Sequence, residues 1–368
     1  MKKLLVVAAI ATAASPAFAS KARVSALGNS PQLTDVQYTF ETPYTMGAVG
    51  ELVTIEWGGT GTASPHAEGG FIKKHGDAFY GVYFGRQSED VNTAVSNTNS
   101  AFSLTGNTAL LVEQNPINLM YSAKMGDITW GATLKYSKGF DEVSATQKRK
   151  SDSAGIALGA TNGTWEAYLR QGLGAQSDNG AGVKLKTKAN TTIAGAYNVS
   201  DSLYAFADYK MAEVEVTSSL PTSTTKTNEL NIGLVNTLVK ADGVNFFYGV
   251  KYSTTESKPS TLSTTSPKVN ETTLPVWLGV EADATSWMVL RAVVQQTILI
   301  NEEKTNTGAS TTKDDVDNTT MNAGAGFKVG KGMIDATFGT ATSGDLSFSD
   351  GQGSNDKFLT NVSYTYNF

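Results

Sequence analysis

The last strand of this chain limits its architecture more than any other stretch. Counting back from the C-terminus, Phe368, Tyr366, Tyr364, Val362, Thr360 and Phe358 alternate with Asn367, Thr365, Ser363 and Asn361. A period of two places one set on each face of a pleated strand. The same alternation recurs upstream: Ile128, Trp130, Ala132, Leu134 and Tyr136 against Thr129, Gly131, Thr133, Lys135 and Ser137, and Phe246, Tyr248, Val250 and Tyr252 against Asn245, Phe247, Gly249 and Lys251. No window carries a convincing 3.6-residue period, so almost no helix is expected. One apolar and one polar face, repeated without helices to cover either, is the pattern of a closed sheet with lipid outside and water inside. The mean hydropathy of −0.19 agrees, because half of each strand would face water.

Connections alternate in length. Turn formers sit at Gly126-Asp127, Asn162-Gly163, Ser200-Asp201, Asp242-Gly243, Asp283-Ala284 and Gly330-Lys331-Gly332. Gly, Asn and Asp tolerate positive φ, which tight hairpins need. Between them lie polar stretches rich in Thr, Ser and Asn near 138–152, 217–228, 254–270, 301–318 and 342–355, read as long loops. Parity then predicts strands near 50–57, 68–74, 77–86, 116–125, 127–137, 152–161, 164–172, 181–199, 202–216, 228–239, 244–254, 270–281, 286–300, 318–329, 333–342 and 355–368. The fold class is therefore all-β: a transmembrane antiparallel β-barrel of 16 strands, with short periplasmic turns and long extracellular loops. Segment 87–115 could hide a further hairpin and make 18. Its run Ala109-Leu110-Leu111-Val112 argues against a loop waving in water, and suggests a constriction or a subunit contact. Segment 181–199 reads as one strand of constant phase, with Val183, Leu185, Thr187 and Ile193 on one face.

The N-terminus predicts the compartment. Lys2 and Lys3 precede an apolar run from Leu4 to Ala14, and Ala17-Phe18-Ala19 precedes Ser20 as an A-x-A cleavage site. This is the layout of a signal peptide over 1–19, too short to span a bilayer. Its removal leaves about −7 on the remainder. Residues 20–49 form an N-terminal periplasmic or lumenal segment and 50–368 the barrel. The expected location is the bacterial outer membrane, reached by the Sec pathway. Tyr364, Tyr366 and Phe368 form the outward face of a terminal strand that ends on an aromatic residue, which resembles the assembly signal of outer-membrane barrels. The barrel-assembly machinery and outer-membrane lipids, including lipopolysaccharide, are then the expected partners, and no nucleic acid is.

Ala22-Arg23-Val24-Ser25-Ala26-Leu27-Gly28-Asn29, followed by Asp35, Phe40 and Pro43, resembles the N-terminal motif of porin-like major outer-membrane proteins of Bdellovibrio-type predatory bacteria. Ile55-Glu56-Trp57-Gly58 and Phe79-Tyr80-Gly81-Val82-Tyr83 also fit that group. The resemblance covers roughly the first ninety residues. It implies an abundant general-porin-like barrel that forms homo-oligomers, as a trimer or a larger ring. It transfers no catalytic residue.

Enzyme chemistry finds little material. The chain has no cysteine and two histidines, His66 in an early outer loop and His75 at a predicted turn, on opposite sides of the membrane. Asp314-Asp315-Val316-Asp317 reads as a solvated loop face rather than a metal site. No catalytic residue, metal or cofactor is expected. The polar phase of the strands carries the remaining signal. Lys124, Lys135, Arg170, Lys184, Lys186, Lys188, Lys251, Arg291, Lys328 and Lys357 face Glu56, Glu166, Glu281 and Asp335, a basic excess of six in a chain that is net acidic. Of these, Lys135, Glu166, Arg170, Lys184, Lys186, Lys188, Lys251, Arg291 and Lys328 are the predicted pore-lining residues, with a modest preference for anions. Strand 202–216 resists phasing, because Tyr204-Phe206 and Leu203-Ala205 compete. Strands 77–86 and 286–300 are apolar on both faces, which points to a contact with segment 87–115 or with a neighbouring subunit. The function this pattern predicts is a porin for passive diffusion of small hydrophilic solutes or ions. The alternative is a structural oligomer with little conductance.

Overall fold

The computed structural model describes residues 20–58, 66–219, 222–239, 243–261, 268–305, 318–342 and 361–368. Sixteen strands pair in chain order into a closed barrel. They are β1 Leu52–Gly58, β2 His66–His75, β3 Ala78–Phe84, β4 Ile117–Met125, β5 Ile128–Glu142, β6 Lys148–Thr161, β7 Trp165–Asp178 and β8 Lys184–Asn198. There follow β9 Leu203–Thr217, β10 Ser223–Val239, β11 Val244–Thr261, β12 Lys268–Thr285, β13 Met288–Thr305, β14 Asn318–Val329, β15 Gly332–Thr342 and β16 Asn361–Asn367. All neighbours are antiparallel, and the seam closes with Leu52 opposite Asn367 and Trp57 opposite Val362. The count of sixteen sets aside the alternative of eighteen. Phe358, Thr360, Lys357 and Asp314 to Asp317 lie outside the described residues.

One mouth carries tight turns, as the sequence predicted. Gly76, Gly126, Gly163 and Gly330 turn there at φ of 58°, 63°, 87° and 62°. The turn expected at Asp283-Ala284 falls three residues later, at Ser286-Trp287. At the other mouth several predicted loops are strand. β5 and β6 run on to Glu142 and Lys148, and β11 and β12 to Thr261 and Lys268. These extensions are polar on both faces. A strand beyond the bilayer has no lipid to select an apolar face, so alternation disappears while pairing continues. About 9–11 residues span a membrane, whereas β10 to β13 have 17 or 18.

The outer surface is an apolar belt that includes Trp57, Phe84, Trp130, Leu134, Leu234 and Tyr248, all at least 40% exposed. Three hydrophobic clusters lie inside instead, each where a non-barrel segment meets the wall. The expectation of almost no helix is corrected within those segments. Helices α1 Lys21–Ala26, α2 Val36–Thr39, α3 Met46–Val49 and α4 Glu89–Ala101 all lie within the lumen segments. The first three span one turn or two, too short to show a helical period. In α4 only Val95 and Thr98 are buried, so it presents no apolar stripe to read.

Candidate functional site: a lumen filled by two segments

The first segment, Ser20 to Gly50, is a plug. The Ser20 hydroxyl caps α1 by accepting from the Arg23 amide at 2.9 Å, and Asp35 caps α2 by accepting from the Gln37 amide at 3.0 Å. Such caps satisfy amides that a helix start leaves free. The α2–α3 stretch packs Val36, Phe40, Met46 and Val49 onto Leu52, Ile72, Tyr83 and Met120 of the wall. Leu27 packs onto Val235, Phe247, Trp277 and Val293. At Gly324, an added Cβ would lie 2.7 Å from the Ala26 Cβ, so only glycine lets α1 approach that strand.

Buried charges fix the plug. Arg23 donates to Asp35 at 3.0 Å and, through two nitrogens, to Glu281 at 2.9 and 3.0 Å. Arg291 joins Glu281 at 2.7 Å to Asp335 at 2.5 Å. Burial opposes the Arg23 charge, but Glu281 and Asp35 outweigh it and hold the guanidinium firmly protonated. Nearby, Glu56 accepts from the Lys21 amide at 2.8 Å and from Tyr83 at 2.9 Å, while Lys21 pairs with Glu68 at 2.5 Å.

The second segment runs from Gly85 to Pro116 and lies against β5 to β8. Its backbone is held by inward polar side chains. Ser137 donates to the Gln114 carbonyl at 2.5 Å, Ser177 to Leu111 at 2.8 Å, Asn179 to Thr108 at 2.7 Å and Arg149 to Gly106 at 2.7 Å. Buried carbonyls need such partners. Glu113, 2% exposed, takes Lys135 at 2.7 Å and also accepts from the Ser88 amide and the Ser153 hydroxyl. Leu110 and Val95 bury against Leu185. At the start of α4, Asp90 meets Arg170 at 3.0 Å and Lys210. Burial pushes the Asp90 carboxyl up, but Arg170 and Lys210 outweigh it and hold it below the usual carboxylate range.

Between the plug and the wall from β7 to β13 lies a cavity of about 320 Å³. Tyr38, Tyr44, Tyr168, Tyr204, Phe206 and Trp277 line it, with Asp35, Glu41, Glu166, Asp208 and Lys251 as its charged residues. Tyr44 donates to Glu166 at 2.9 Å, and Arg170 pairs with Glu41. Burial pushes the Tyr38 and Tyr44 phenols up, so they are neutral donors at any ordinary pH.

The residues singled out in the sequence divide into three groups. Glu166 and Lys251 border the cavity, and Arg170 lies beside it. Lys135 turns inward onto Glu113 of the second segment, Arg291 turns inward onto Glu281 and Asp335 of the wall, and Lys328 turns inward onto Asp283 at 2.7 Å. Lys184, Lys186 and Lys188 correct the expectation: they point outward. Leu185 and Thr187 take the inner face, at 1% and 9% exposure, and a register shift between Thr187 and Ala189 reverses the phase. Thr192 is then inward, bonded to Arg170 at 3.2 Å, and Ile193 outward. The bulge sits at Ala189-Asn190, where the sequence hints at a turn, and an extra residue there is what a constant period cannot anticipate. Lys184 pairs with Asp178 at 2.9 Å and Lys188 with Glu215 on the outer face.

Strand β9 is now phased, with Tyr204, Phe206 and Asp208 on the cavity and Tyr209 outward. The two-sided apolarity of β3 and β13 comes from the plug, since Tyr83 faces Phe40 at 4.8 Å between ring centres and Val293 meets Leu27. Tyr366 and Phe368 are exposed on the outer face. His66 begins β2 and His75 ends it, so the strand's length separates them. Sequence reasoning missed Glu41, Asp90 and Glu113, which lie outside the strands and so had no phase to place them.

The chain is similar to three solved outer-membrane proteins. The CymD monoaromatic hydrocarbon channel gives a TM-score of 0.42 at 11% identity, over 94% of this chain and 96% of that one. A porin gives 0.40 at 11%, over 86% and 99%. The toluene transporter TodX of Pseudomonas putida gives 0.40 at 8%, over 95% and 98%. No family model and no curated protein matches the chain. Likeness at this level reaches no further than barrel architecture, which the strand register establishes independently.

Proposed function

We propose that this chain is an outer-membrane porin that passes small hydrophilic solutes or ions by diffusion through a narrowed lumen, without catalysing a reaction. The observation that carries the reading is the water-accessible cavity of about 320 Å³ inside a closed barrel whose outer face is apolar. The signal-peptide layout of 1–19 and the resemblance to porin-like proteins of Bdellovibrio-type predatory bacteria support the same reading. The tight turns then face the periplasm and the long strands rise outside the cell. With Lys184, Lys186 and Lys188 outside, the acids Glu166 and Asp208 outnumber Lys251 around the cavity. The permeation preference is therefore for cations, because a charged lining sets ion preference through its field. The three lysines, placed at the loop end of β8 among Asp178 and Glu215, suit the phosphate-rich headgroups of lipopolysaccharide. A homo-oligomer and recognition of the terminal strand by the assembly machinery complete the proposal.

The two segments that fill the lumen favour a second reading, a structural outer-membrane protein that conducts poorly. Single-channel recording in planar bilayers separates the two. Discrete conductance steps with a reversal potential on the cation side are expected. Silent insertion of correctly folded protein would favour the structural role, and an anion-side reversal potential would overturn the charge assignment.

A further inference from the structure

Strand register gives the cavity between plug and wall a floor and two sides. In one row Glu166 of β7 stands opposite Ala196 of β8, and Ala196 opposite Phe206 of β9. In the next row on the same face, Tyr168 stands opposite Ala194, and Ala194 opposite Asp208. Residues directly opposite across a sheet share a face, and all six line the cavity. Each row sets an acid against an aromatic ring across an alanine, with the order reversed between rows. Neighbouring strands lie about 4.8 Å apart, so β7 and β9 bound a slot about 10 Å wide. Its floor is two methyl groups. The Phe206 ring leans away from that floor over Gly233, where an added Cβ would collide with it. The plug faces the slot with Tyr38 and Tyr44.

The slot offers acceptors and rings but few donors. Tyr38 gives its proton to the Ser30 carbonyl at 3.2 Å, Tyr44 to Glu166 at 2.9 Å, and the Trp277 indole to the Ser30 hydroxyl at 2.9 Å. Asp35 and Glu41 are held by Arg23 and Arg170. Glu166 and Asp208 instead meet neutral donors, Tyr44 and Asn231, each at 2.9 Å. Lys251 is the one cation among the described lining residues. It stands opposite Gly233, two strands beyond Phe206 in the Glu166 row. Four strand spacings put it roughly 15–20 Å from Glu166.

We propose that this slot is a binding subsite for small organic cations, an ammonium or guanidinium group carried on a flat apolar body. The proposal rests on the reading of the chain as a diffusion channel and names the solute class that the channel favours. A sugar needs donors as well as acceptors, and the phenol and indole donors named above are spent. A neutral hydrocarbon would strip water from the carboxylates and give nothing back. An organic cation answers both parts of the slot. Its charge meets Glu166 or Asp208, and aromatic faces attract it through their quadrupole. At about 320 Å³ the cavity lies at the low end of small-molecule pockets, about 300–1,000 Å³, which suits a solute of one or two rings.

The test uses detergent-folded protein and three probes: benzylammonium, benzyl alcohol and ammonium ion. Calorimetric titration should show saturable binding of benzylammonium at least about tenfold tighter than of either other probe, because it alone offers both charge and ring. In planar bilayers it should interrupt the potassium current over the same concentration range. Glu166→Gln combined with Asp208→Asn should weaken binding about tenfold. Ala194→Leu keeps both carboxylates, fills the floor of the slot and should weaken binding as much. It decides the matter if the double variant loses the heat-modifiable migration of a folded barrel. Equal binding of the three probes, or benzylammonium binding that survives Ala194→Leu, would overturn the proposal. A potassium current with no benzylammonium binding would also overturn it and leave the diffusion channel standing. Benzylammonium binding without any current would support the slot and remove the diffusion reading.

Discussion

The plug and the α4 segment fill the same lumen but are held by different chemistry. The plug contributes side chains. Its apolar residues meet apolar wall positions, and Arg23 and Asp35 enter a charge cluster with Glu281, Arg291 and Asp335. The α4 segment contributes backbone as well as side chains, with Glu113 and Asp90 as its charged anchors. Its carbonyls at Gly106, Thr108, Leu111 and Gln114 take hydrogen bonds from Arg149, Asn179, Ser177 and Ser137 respectively. Side-chain burial and paired buried charges are worth several kcal/mol each when broken, whereas single neutral hydrogen bonds are worth about 1 kcal/mol. The plug should therefore be a fixed part of the barrel, and the α4 segment the part that yields first.

Breaking the plug should have the largest effect. Arg291→Ala leaves Asp335 and Glu281 buried with less compensation and should cost about 3–5 kcal/mol. The loss would be read as a lower denaturation midpoint and as protease cleavage within 20–49. An unchanged midpoint would show that the cluster is not tightly coupled to the barrel.

Glu113→Ala should act more locally. It removes the acceptor of Lys135 and of the Ser88 amide and should cost about 2–3 kcal/mol of opening energy. Faster hydrogen exchange at amides 105–114, with plug amides unchanged, is the expected outcome. Equal acceleration in both segments would erase the contrast drawn above.

Acid should loosen α4 before the plug opens. Asp90 has a folded-state pKa below its unfolded value of about 4, so its stabilisation is complete above that value and is lost as pH falls through the lower folded one. Current noise or mean conductance should change as pH falls below about 4, and Asp90→Asn should reproduce that state at pH 7. A pH-independent channel would place the restriction elsewhere.

The smallest effect belongs to Lys184, Lys186 and Lys188. Replacing all three with Glu should leave the reversal potential where it was, because these side chains stand on the outer wall. A shift towards cations would restore the inward phase that the sequence alone suggested.

What could be read from the sequence follows from where lipid is. Alternation held wherever one face meets the bilayer, so strand number, the turns at Gly126 and Gly163 and the outward aromatics of β16 were legible. It failed beyond the bilayer, where β11 and β12 continue without an apolar face. It also failed at the bulge beside Lys188, where one extra residue reverses every side chain that follows. The site was less legible. Apolar Tyr83 and Val293 on an inward face signalled a contact but not its partner, which proved to be the plug. Lys135 and Arg291 were legible as inward but not as structural, since Glu113 lies outside the strands and Arg23, which shares Glu281 with Arg291, lies in the plug.

The hydrogen bond between Ser20 and Asp335 spans 315 positions of the chain. It also has a consequence for the order of assembly. Ser20 lies ahead of the first strand, and its partner stands on β15, beside the seam where β16 meets β1. Contacts so distant in sequence form late, because the intervening chain must be organised first. Seating the plug and closing the cylinder are therefore steps of one final event, joined further by the Thr337 hydroxyl on the Ala22 carbonyl at 2.7 Å. A barrel stalled with an open seam would leave the Ser20 to Gly50 segment unseated, giving a protease a simple mark for telling unfinished molecules from finished ones.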